Sequence, residues 1–171
     1  MITKGIVAIL MLIMTGCAGI PKGITPVDGF EIERYMGLWH EIARLDHSFE
    51  RGLIKVTAQY KPRQGRGITV INQGYDPLKN KWREIVGKAF FVNDPNIGRL
   101  KVSFFGPFYA GYNIIALDKD EYSYAMVCGP SLSYLWILAR DRDLDPEILI
   151  SLVNKARDLG FKVENLIYLY Q

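Results

Sequence analysis

The chain from Trp39 onward alternates between apolar and polar residues, which is the pattern of β-strands with one buried face. In residues 55–60, for example, Val56, Ala58 and Tyr60 fall on the same face. Comparable segments follow at 67–74, 82–91, 99–105, 110–117, 121–128 and 133–140. Together with the segment that begins at Trp39, they predict about eight short strands.

Turn residues separate these segments and make the connections short. Glycine, proline, asparagine and aspartate cluster at 76–77, 93–96, 106–107 and 129–130. Short, evenly spaced strands separated by turn residues are typical of an antiparallel sheet that closes on itself. The predicted fold class is therefore all-β, an eight-stranded antiparallel up-and-down β-barrel.

One α-helix is predicted after the last barrel strand. Asp145 is a suitable N-cap, Pro146 fits the first helical position, and Gly160 can end the helix. Apolar residues at helical spacing form one stripe, which we expect to lie against the outside of the barrel. They are Ile148, Leu149, Leu152, Val153, Ala156 and Leu159. A final strand at the barrel edge is predicted over residues 163–170.

The composition fits one domain with a hydrophobic core. Of the 171 residues 49% are apolar, and the net charge of +3 is not clustered. Because no basic stripe is present, nucleic acid is not a predicted partner.

The N-terminal residues differ from the rest and predict export. A short apolar run, 6–14, follows Lys4 and is shorter than the roughly 20 residues of a membrane-spanning helix. It ends at Thr15-Gly16-Cys17, which resembles the bacterial lipobox, where the cysteine is acylated and the chain is cut before it. We therefore expect a lipoprotein signal peptide over 1–16 and a lipidated Cys17. A plain signal peptide with an incidental cysteine is the alternative.

Two motifs at opposite ends of the barrel region carry a family resemblance. A Gly-x-Trp motif at 37–39 opens the first strand, and Trp-Ile-Leu-Ala-Arg at 136–140 closes the last barrel strand. If these strands are antiparallel neighbours, Arg140 can lie over the Trp39 indole, a cation–π contact worth roughly 0.5–2 kcal/mol. Together the motifs resemble the lipocalin family, over 29–171. The intervening sequence looks most like the bacterial outer-membrane lipoprotein lipocalins.

This resemblance implies a domain organisation and a function. A Gly- and Pro-rich lipidated N-terminus and tether would occupy 17–29, and the lipocalin barrel 30–171. The protein would be lipid-anchored in the outer membrane, because Ala18 rather than aspartate follows Cys17, and it would face the periplasm. It would bind a fatty acid or lysophospholipid and store or transport it for membrane maintenance under stress. No cofactor is implied, and a homodimer is left open. The alternatives are an enzyme acting on a lipid-like substrate in the barrel and a purely structural envelope lipoprotein.

Strand alternation assigns a largely apolar set of residues to the inside of the barrel. About eight strands enclose room for side chains or for one small ligand. Small residues such as Ala58, Gly87 and Ala89 leave volume; a filled core is the alternative, and the family resemblance favours a cavity. The predicted inward positions are Val56, Ala58, Tyr60, Val70, Asn72, Ile85, Gly87, Ala89, Val102, Phe104, Tyr112, Ile114, Trp136 and Leu138. All except Val56 and Val70 are predicted ligand contacts.

The two ends of the barrel are expected to differ. Trp39 and Arg140 form a predicted plug at one end, so the loops after the first, third, fifth and seventh strands form the mouth at the other. The first of these loops, 45–53, is the longest and carries Phe49, which makes it a candidate lid. A chain would enter near Phe49, Leu78, Phe108 and Leu132. Because no unpaired charge lies among the proposed inward residues, a ligand's head group should stay at the mouth.

Catalytic and metal-binding residues are not predicted. His40 and His47 lack metal-ligand spacing. The run 141–145 starts like a calcium loop, but Pro146 and Leu152 stand where glycine and glutamate are needed. Cys128 is expected on the outer face, opposite Ala125 and Val127, as a structural free thiol.

Anchoring through Cys17 is directly testable. We expect Cys17→Ala to leave an unlipidated form, because the thiol is the acceptor of the acyl chains. Metabolic labelling with a fatty acid measures this, and undiminished labelling of the variant would contradict it.

Overall fold

A computed structural model describes residues 19–65 and 67–169, and the strands within these ranges form one nine-stranded sheet that closes on itself. The strands are β1 Gly37–Leu45, β2 Ile54–Pro62, β3 Ile68–Asp76, β4 Lys81–Phe91, β5 Arg99–Ser103, β6 Ala110–Leu117, β7 Tyr124–Cys128, β8 Leu135–Ala139 and β9 Leu166–Tyr168. Consecutive strands from β1 to β8 pair antiparallel, and β1 also pairs with β8. The predicted eight-stranded antiparallel barrel is confirmed. The predicted signal peptide and Cys17 lie outside the described residues.

The predicted helix is also confirmed and lies outside the barrel. Helix α2 spans Pro146–Asp158, and the Asp145 carboxylate accepts hydrogen bonds from the backbone N–H of Glu147 at 2.7 Å and of Ile148 at 3.4 Å. Gly160 follows the helix at φ +89°, a left-handed conformation that glycine adopts without strain.

Two short elements differ from the sequence-based expectation. A one-turn helix, α1 Ile32–Tyr35, precedes β1 and is too short to leave a periodic pattern. The final strand predicted over 163–170 is instead a 3₁₀ turn, Val163–Asn165, followed by the three-residue β9. It is short because β9 pairs only with the end of β1, Ala43–Leu45, whereas the start of β1 is paired with β2.

Alternation along the strands separates an inner core from an outer one. The inner core includes Ala125 and Val127 of β7, whereas Met126 and Cys128 of the same strand pack in the outer core against α2. Burial raises the pKa of the Cys128 thiol to about 12. The thiol therefore stays protonated and unreactive at neutral pH, as expected of a structural cysteine.

The closed end of the barrel is sealed by aromatic packing around Trp39. The Tyr35 ring of α1 packs on the Trp39 indole at 4.8 Å between ring centroids, and Trp39 Nε1 donates to the Tyr35 carbonyl at 2.9 Å. Phe30 packs on the other side of Tyr35 at 5.2 Å. Trp39 is fully buried as a result.

Arg140 covers the indole and ties the closed end together. Its Cζ lies 4.0 Å from the centroid of the Trp39 ring. The guanidinium also donates to the carbonyls of Leu38 at 3.0 Å, Arg34 at 2.6 Å and Tyr122 at 3.2 Å. One side chain thus joins α1, β1 and the connection between β6 and β7.

Residues 19–29 lie packed along the outside of the barrel instead of forming a free tether. Ile24 is buried in the outer core, and Val27 N–H donates to the Ile114 carbonyl at 2.8 Å. Gly98 N–H donates to the Val27 carbonyl at 2.8 Å. The apolar residues among the glycines and prolines therefore hold this segment against the barrel.

The contact at the closed end predicts coupled losses of stability. Trp39→Ala should cost about 3–5 kcal/mol because it removes a large buried aromatic ring. Arg140→Ala should also destabilise, and the two losses should not add because the side chains touch. Urea unfolding of the double-mutant cycle measures the coupling. The control is a second cycle that combines Trp39→Ala with Ile150→Ala, on the exposed side of α2, where the two losses should add. Strictly additive losses for Trp39→Ala and Arg140→Ala would contradict the contact.

Candidate ligand-binding site

The strand register brings the predicted inward residues into layers across the barrel. Ala58 lies opposite Trp39 on one side and Asn72 on the other, and Asn72 lies opposite Ile85. Tyr60, Val70 and Gly87 form a second layer in the same way. The remaining predicted contacts belong to the inner core: Ala89, Val102, Phe104, Tyr112, Ile114, Trp136 and Leu138. The structure therefore places the predicted contact residues on one inner surface. Val56 instead packs with Leu53 and Leu169 in a small separate cluster.

Exposure along this surface increases toward the mouth. Tyr60, Val70, Ala89, Ile114 and Leu138 are buried. Other residues with the same inward orientation keep partial solvent exposure: Ala58, Asn72, Ile85, Gly87, Val102, Phe104, Tyr112 and Trp136. The partly exposed positions on the inward phase of the strands therefore lie nearer the mouth, and the buried ones form a packed floor at the closed end.

Gly87 does not leave open volume, in contrast to the expectation from its size. A Cβ atom on Gly87 would lie 2.6 Å from Cδ1 of the Phe104 ring. The aromatic ring rests directly on the glycine backbone and fills the space that the missing side chain provides. Ala58, which is half-buried between Trp39 and Asn72, remains a small residue on the lumen wall.

A cluster of phenols lies at the floor of the lumen. The Tyr112 hydroxyl is 2.8 Å from the Tyr35 hydroxyl and 2.6 Å from the Tyr60 hydroxyl. Burial raises the pKa of each phenol above its ordinary range. The three hydroxyls therefore stay neutral and satisfy one another. Tyr35, which comes from α1, was not among the predicted inward residues.

Buried charges that sequence reasoning missed lie in the barrel wall. Arg44 Nη1 donates to Glu41 Oε1 at 2.7 Å, and both side chains are almost fully buried. Because Glu41 follows Trp39 by two residues, it shares the inward face of β1. This spacing was the signal in the sequence for a buried carboxylate. A bulge between Glu41 and Ala43 shifts the register and brings Arg44 to the same side, which simple alternation does not predict.

Arg44 also fixes the loop that was predicted as a lid. Its Nη2 donates to the carbonyls of Glu50 at 3.0 Å and Leu53 at 3.2 Å, both in the loop between β1 and β2. The Glu50 carboxylate is buried and accepts from Trp136 Nε1 at 3.2 Å. The loop is therefore held to the barrel wall beside Trp136, with its polar groups turned inward.

His47 belongs to the same loop and has a structural position. Its Nε2 lies 3.2 Å from Glu50 Oε2, and its ring stacks on Phe49 at 3.9 Å between centroids. Phe49 itself is about half exposed, at 52%. In residues 19–65 and 67–169, His, Cys, Asp and Glu side chains do not gather in groups of three that could hold a metal ion.

The pKa of Glu41 is raised well above its ordinary value. Burial is the largest cause, and the neighbouring Glu50 carboxylate adds to it, while Arg44 opposes it. Arg44 pairs with the Glu41 carboxylate but meets Glu50 only at its backbone carbonyl, so the buried Glu50 carboxylate disfavours a second negative charge nearby and the neutral form of Glu41 is favoured.

Comparisons with known proteins agree with this geometry. The sequence model of the family described as "Lipocalin-like domain" matches residues 30–171. The outer membrane lipoprotein Blc of Vibrio cholerae is 48% identical over 160 residues, which cover 94% of each chain. Blc of Escherichia coli strain K12 is 50% identical over 151 residues, which cover 88% of this chain and 85% of that protein. Among solved structures, insecticyanin from the tobacco hornworm Manduca sexta superimposes with a TM-score of 0.70 at 20% identity, over 88% of this chain and 86% of that one, and so shares the fold.

The raised pKa of Glu41 predicts a pH dependence of stability. Because the folded-state pKa exceeds the ordinary value of about 4.3, the contribution of Glu41 is fully present below that pH and is lost as the pH rises through the folded-state pKa. Glu41→Gln removes this titration while keeping the side-chain shape, so the variant should lose less stability than the parent with rising pH.

Urea unfolding at a series of pH values from 4 upward checks this prediction, and the exposed Glu84 provides the matched Glu84→Gln control. The control should reproduce the slope of the parent. Identical slopes for Glu41→Gln and the parent would show that Glu41 does not titrate as inferred.

Proposed function

The chain belongs to the lipocalin family, and from that premise we propose that it is a lipid-anchored outer-membrane lipoprotein that binds a fatty acid or lysophospholipid inside its barrel. Its role would be to store or transport that lipid for membrane maintenance under stress. The barrel would face the periplasm, and no cofactor takes part.

The observation that carries this proposal is the partly exposed inner surface. Ile85, Val102 and Trp136, which lie on the inward phase of their strands, are only partly buried. Burying such apolar surface against an acyl chain is favourable, at roughly 0.8 kcal/mol per CH₂ group. A chain of about 16 carbons would gain on the order of 10 kcal/mol, of which association and ordering costs take several kcal/mol. Affinity in the micromolar range is therefore expected.

The buried charges support a head group at the mouth. Arg44 is a buried cation of the inner wall, and its Nη1 and Nη2 atoms already donate to the Glu41 carboxylate and to the carbonyls of Glu50 and Leu53. A carboxylate or phosphate drawn to that depth would lose its hydration and compete with the buried Glu41 carboxylate for Arg44, which is costly. The acyl chain therefore fills the lumen and the polar end remains in solvent.

Anchoring through Cys17 completes the proposed function. The relatives from Vibrio cholerae and Escherichia coli are both named outer membrane lipoproteins, which supports acylation and outer-membrane localisation of this chain.

Cys128→Ala is the matched control for the fatty-acid labelling of Cys17→Ala. Because Cys128 is buried in the outer core, its replacement should leave the labelling unchanged.

The competing functions receive less support. An enzyme would need a nucleophile or an acid–base pair on the lumen wall, but Cys128 faces the outer core, and His47 and Glu50 hold the lid loop. Lipocalin relatives likewise favour a binding protein over an enzyme. A purely structural lipoprotein would have a filled barrel, in contrast to the exposure gradient described above.

Native mass spectrometry of the purified protein tests the proposal as a whole. We expect co-purified lipid of one or a few acyl classes, released unchanged. A lipid recovered in converted form would instead indicate an enzyme, and a protein that neither carries nor takes up lipid would indicate a structural role. Profiling the bound fraction by lipid extraction would identify the head group.

Blocking the lumen gives the sharper test. Ala58→Trp places a large ring between Trp39 and Asn72 and should weaken lysophospholipid binding at least tenfold without unfolding the barrel. Val86→Trp is the matched control, because Val86 lies on the same barrel but faces outward and is 53% exposed. Native mass spectrometry after incubation with the lipid measures both variants. If folded Ala58→Trp binds as well as the parent, the lumen is not the site.

A further inference from the structure

Exposed apolar side chains collect at the open end of the barrel. We call them the mouth rim, and they come from all four loops at that end. The mouth rim consists of Phe49, Leu78, Phe105, Phe108 and Leu132. Leu78 is 94% exposed and Phe105 is 72% exposed, so these two side chains neither pack in the lumen nor support the fold.

Two of the four mouth loops differ in charge from the connections at the closed end. Residues 104–109 and 129–134, which form two neighbouring mouth loops, contain no aspartate, glutamate, lysine or arginine. The connections at the closed end carry such residues: Arg63 in 63–67, Asp94 in 92–98, and Asp118, Lys119, Asp120 and Glu121 in 118–123. The two loops that carry Phe105, Phe108 and Leu132 are therefore apolar and free of charged residues, which is typical of a contact surface.

The N-terminal end of the described chain lies beside these uncharged loops. Asn113 Nδ2 donates to the carbonyl of Gly19 at 3.4 Å, and also to those of Cys128 at 3.4 Å and Gly129 at 3.3 Å. Gly129 begins the loop between β7 and β8. Asn113 therefore fixes Gly19 next to one mouth loop.

Gly111 fixes the same point against the other uncharged loop. Strand β6 begins directly after residues 104–109, and Gly111 is its second residue. A Cβ atom on Gly111 would lie 2.1 Å from the Gly19 carbonyl oxygen. Only glycine permits this approach of the two backbones. The N-terminal segment thus starts at the mouth and runs toward the closed end, where Phe30 N–H donates to the Asn96 carbonyl at 2.8 Å.

The position of Gly19 limits where the anchor can enter a membrane. Cys17 precedes Gly19 by two residues, and two extended residues span at most about 7 Å. If Cys17 is acylated, as in the proposed function, its acyl chains would enter a bilayer within this distance of Gly19 and so on the side of the mouth that carries Phe105, Phe108 and Leu132. Because 19–29 is packed on the barrel, little free chain remains that would let the barrel turn its mouth away.

Basic side chains complete the surface on the far side of the mouth. Lys55, Lys79, Lys81 and Arg83 are exposed at the ends of β2 and β4 and in the loop between β3 and β4. Three acidic groups lie nearby: Asp46 pairs with Arg51 at 2.7 Å, the buried Asp76 accepts from Lys79 N–H at 3.1 Å, and the exposed Glu84 accepts from Gln73 Nε2 at 2.6 Å. An apolar sector with a basic sector beside it fits a bilayer that carries anionic lipids.

We propose that the open mouth docks on the bilayer in which the chain is anchored, with Phe105, Phe108 and Leu132 seated at the lipid interface. A lipid ligand then passes between bilayer and lumen without crossing bulk water. The inference rests on the acylation of Cys17 that belongs to the proposed function.

Fluorescent labels at the two ends of the barrel test this orientation. Ser131→Cys places a label in a mouth loop without changing the rim, and Glu121→Cys places one at the closed end; both positions are exposed. The full acylated chain is reconstituted in phosphatidylethanolamine–phosphatidylglycerol vesicles that contain a lipid with a quencher near the head group. The unsubstituted chain, whose Cys128 is buried, is the labelling control. We expect quenching at 131 to exceed that at 121 severalfold.

The rim itself is tested in the Ser131→Cys background. Phe105→Ser combined with Phe108→Ser should reduce the quenching at 131, whereas Ile150→Ser, at a 60% exposed position on α2, should not. An unchanged value for the rim variant would overturn the contact between rim and lipid and would favour a protein partner for these side chains.

The outcomes separate the orientation from the anchoring. Vesicle flotation with equal quenching at both labels, or with more quenching at 121, would overturn the orientation while the anchor stands. Failure to float would overturn the anchor and the orientation together. Flotation with selective quenching at 131 supports both.

Discussion

The closure of the sheet through β1 is the constraint on which the rest of the structure depends. This strand pairs with β2 over its first residues, with β8 through its middle, and with β9 at its end. Once the ring is closed, every second side chain of each strand must face a confined interior, and the others face solvent or α2. The lumen, its floor and the outer core all follow from that division.

The sequence predicted this division well where one face of a strand is buried throughout. The outward position of Cys128 and the inward position of Val127 followed from alternation alone, because β7 pairs without a bulge with β8. The N-cap at Asp145 was equally clear, since capping depends on local chemistry. Both features need only neighbouring residues for their explanation.

Prediction failed where the backbone departs from regular alternation or where tertiary contacts decide. The bulge after Glu41 moved Arg44 into the wall, so the buried ion pair escaped notice. The space beside Gly87 was filled by Phe104, which directly follows the end of β5. The one-turn α1 brought Tyr35 beneath the lumen. None of these arrangements is encoded in the spacing of apolar residues.

Closure of the sheet has a further consequence for a protein held at high density on a surface. Open strand edges expose rows of unpaired N–H and C=O groups, which invite pairing between neighbouring copies and lead to aggregation. In this sheet β2 and β8 both find a partner in β1, and the strand at the end of the order, β9, has only three residues. So short an edge is a poor template for a strand from another molecule. Neighbouring copies of the barrel can therefore lie close together on a surface without pairing through their strand edges.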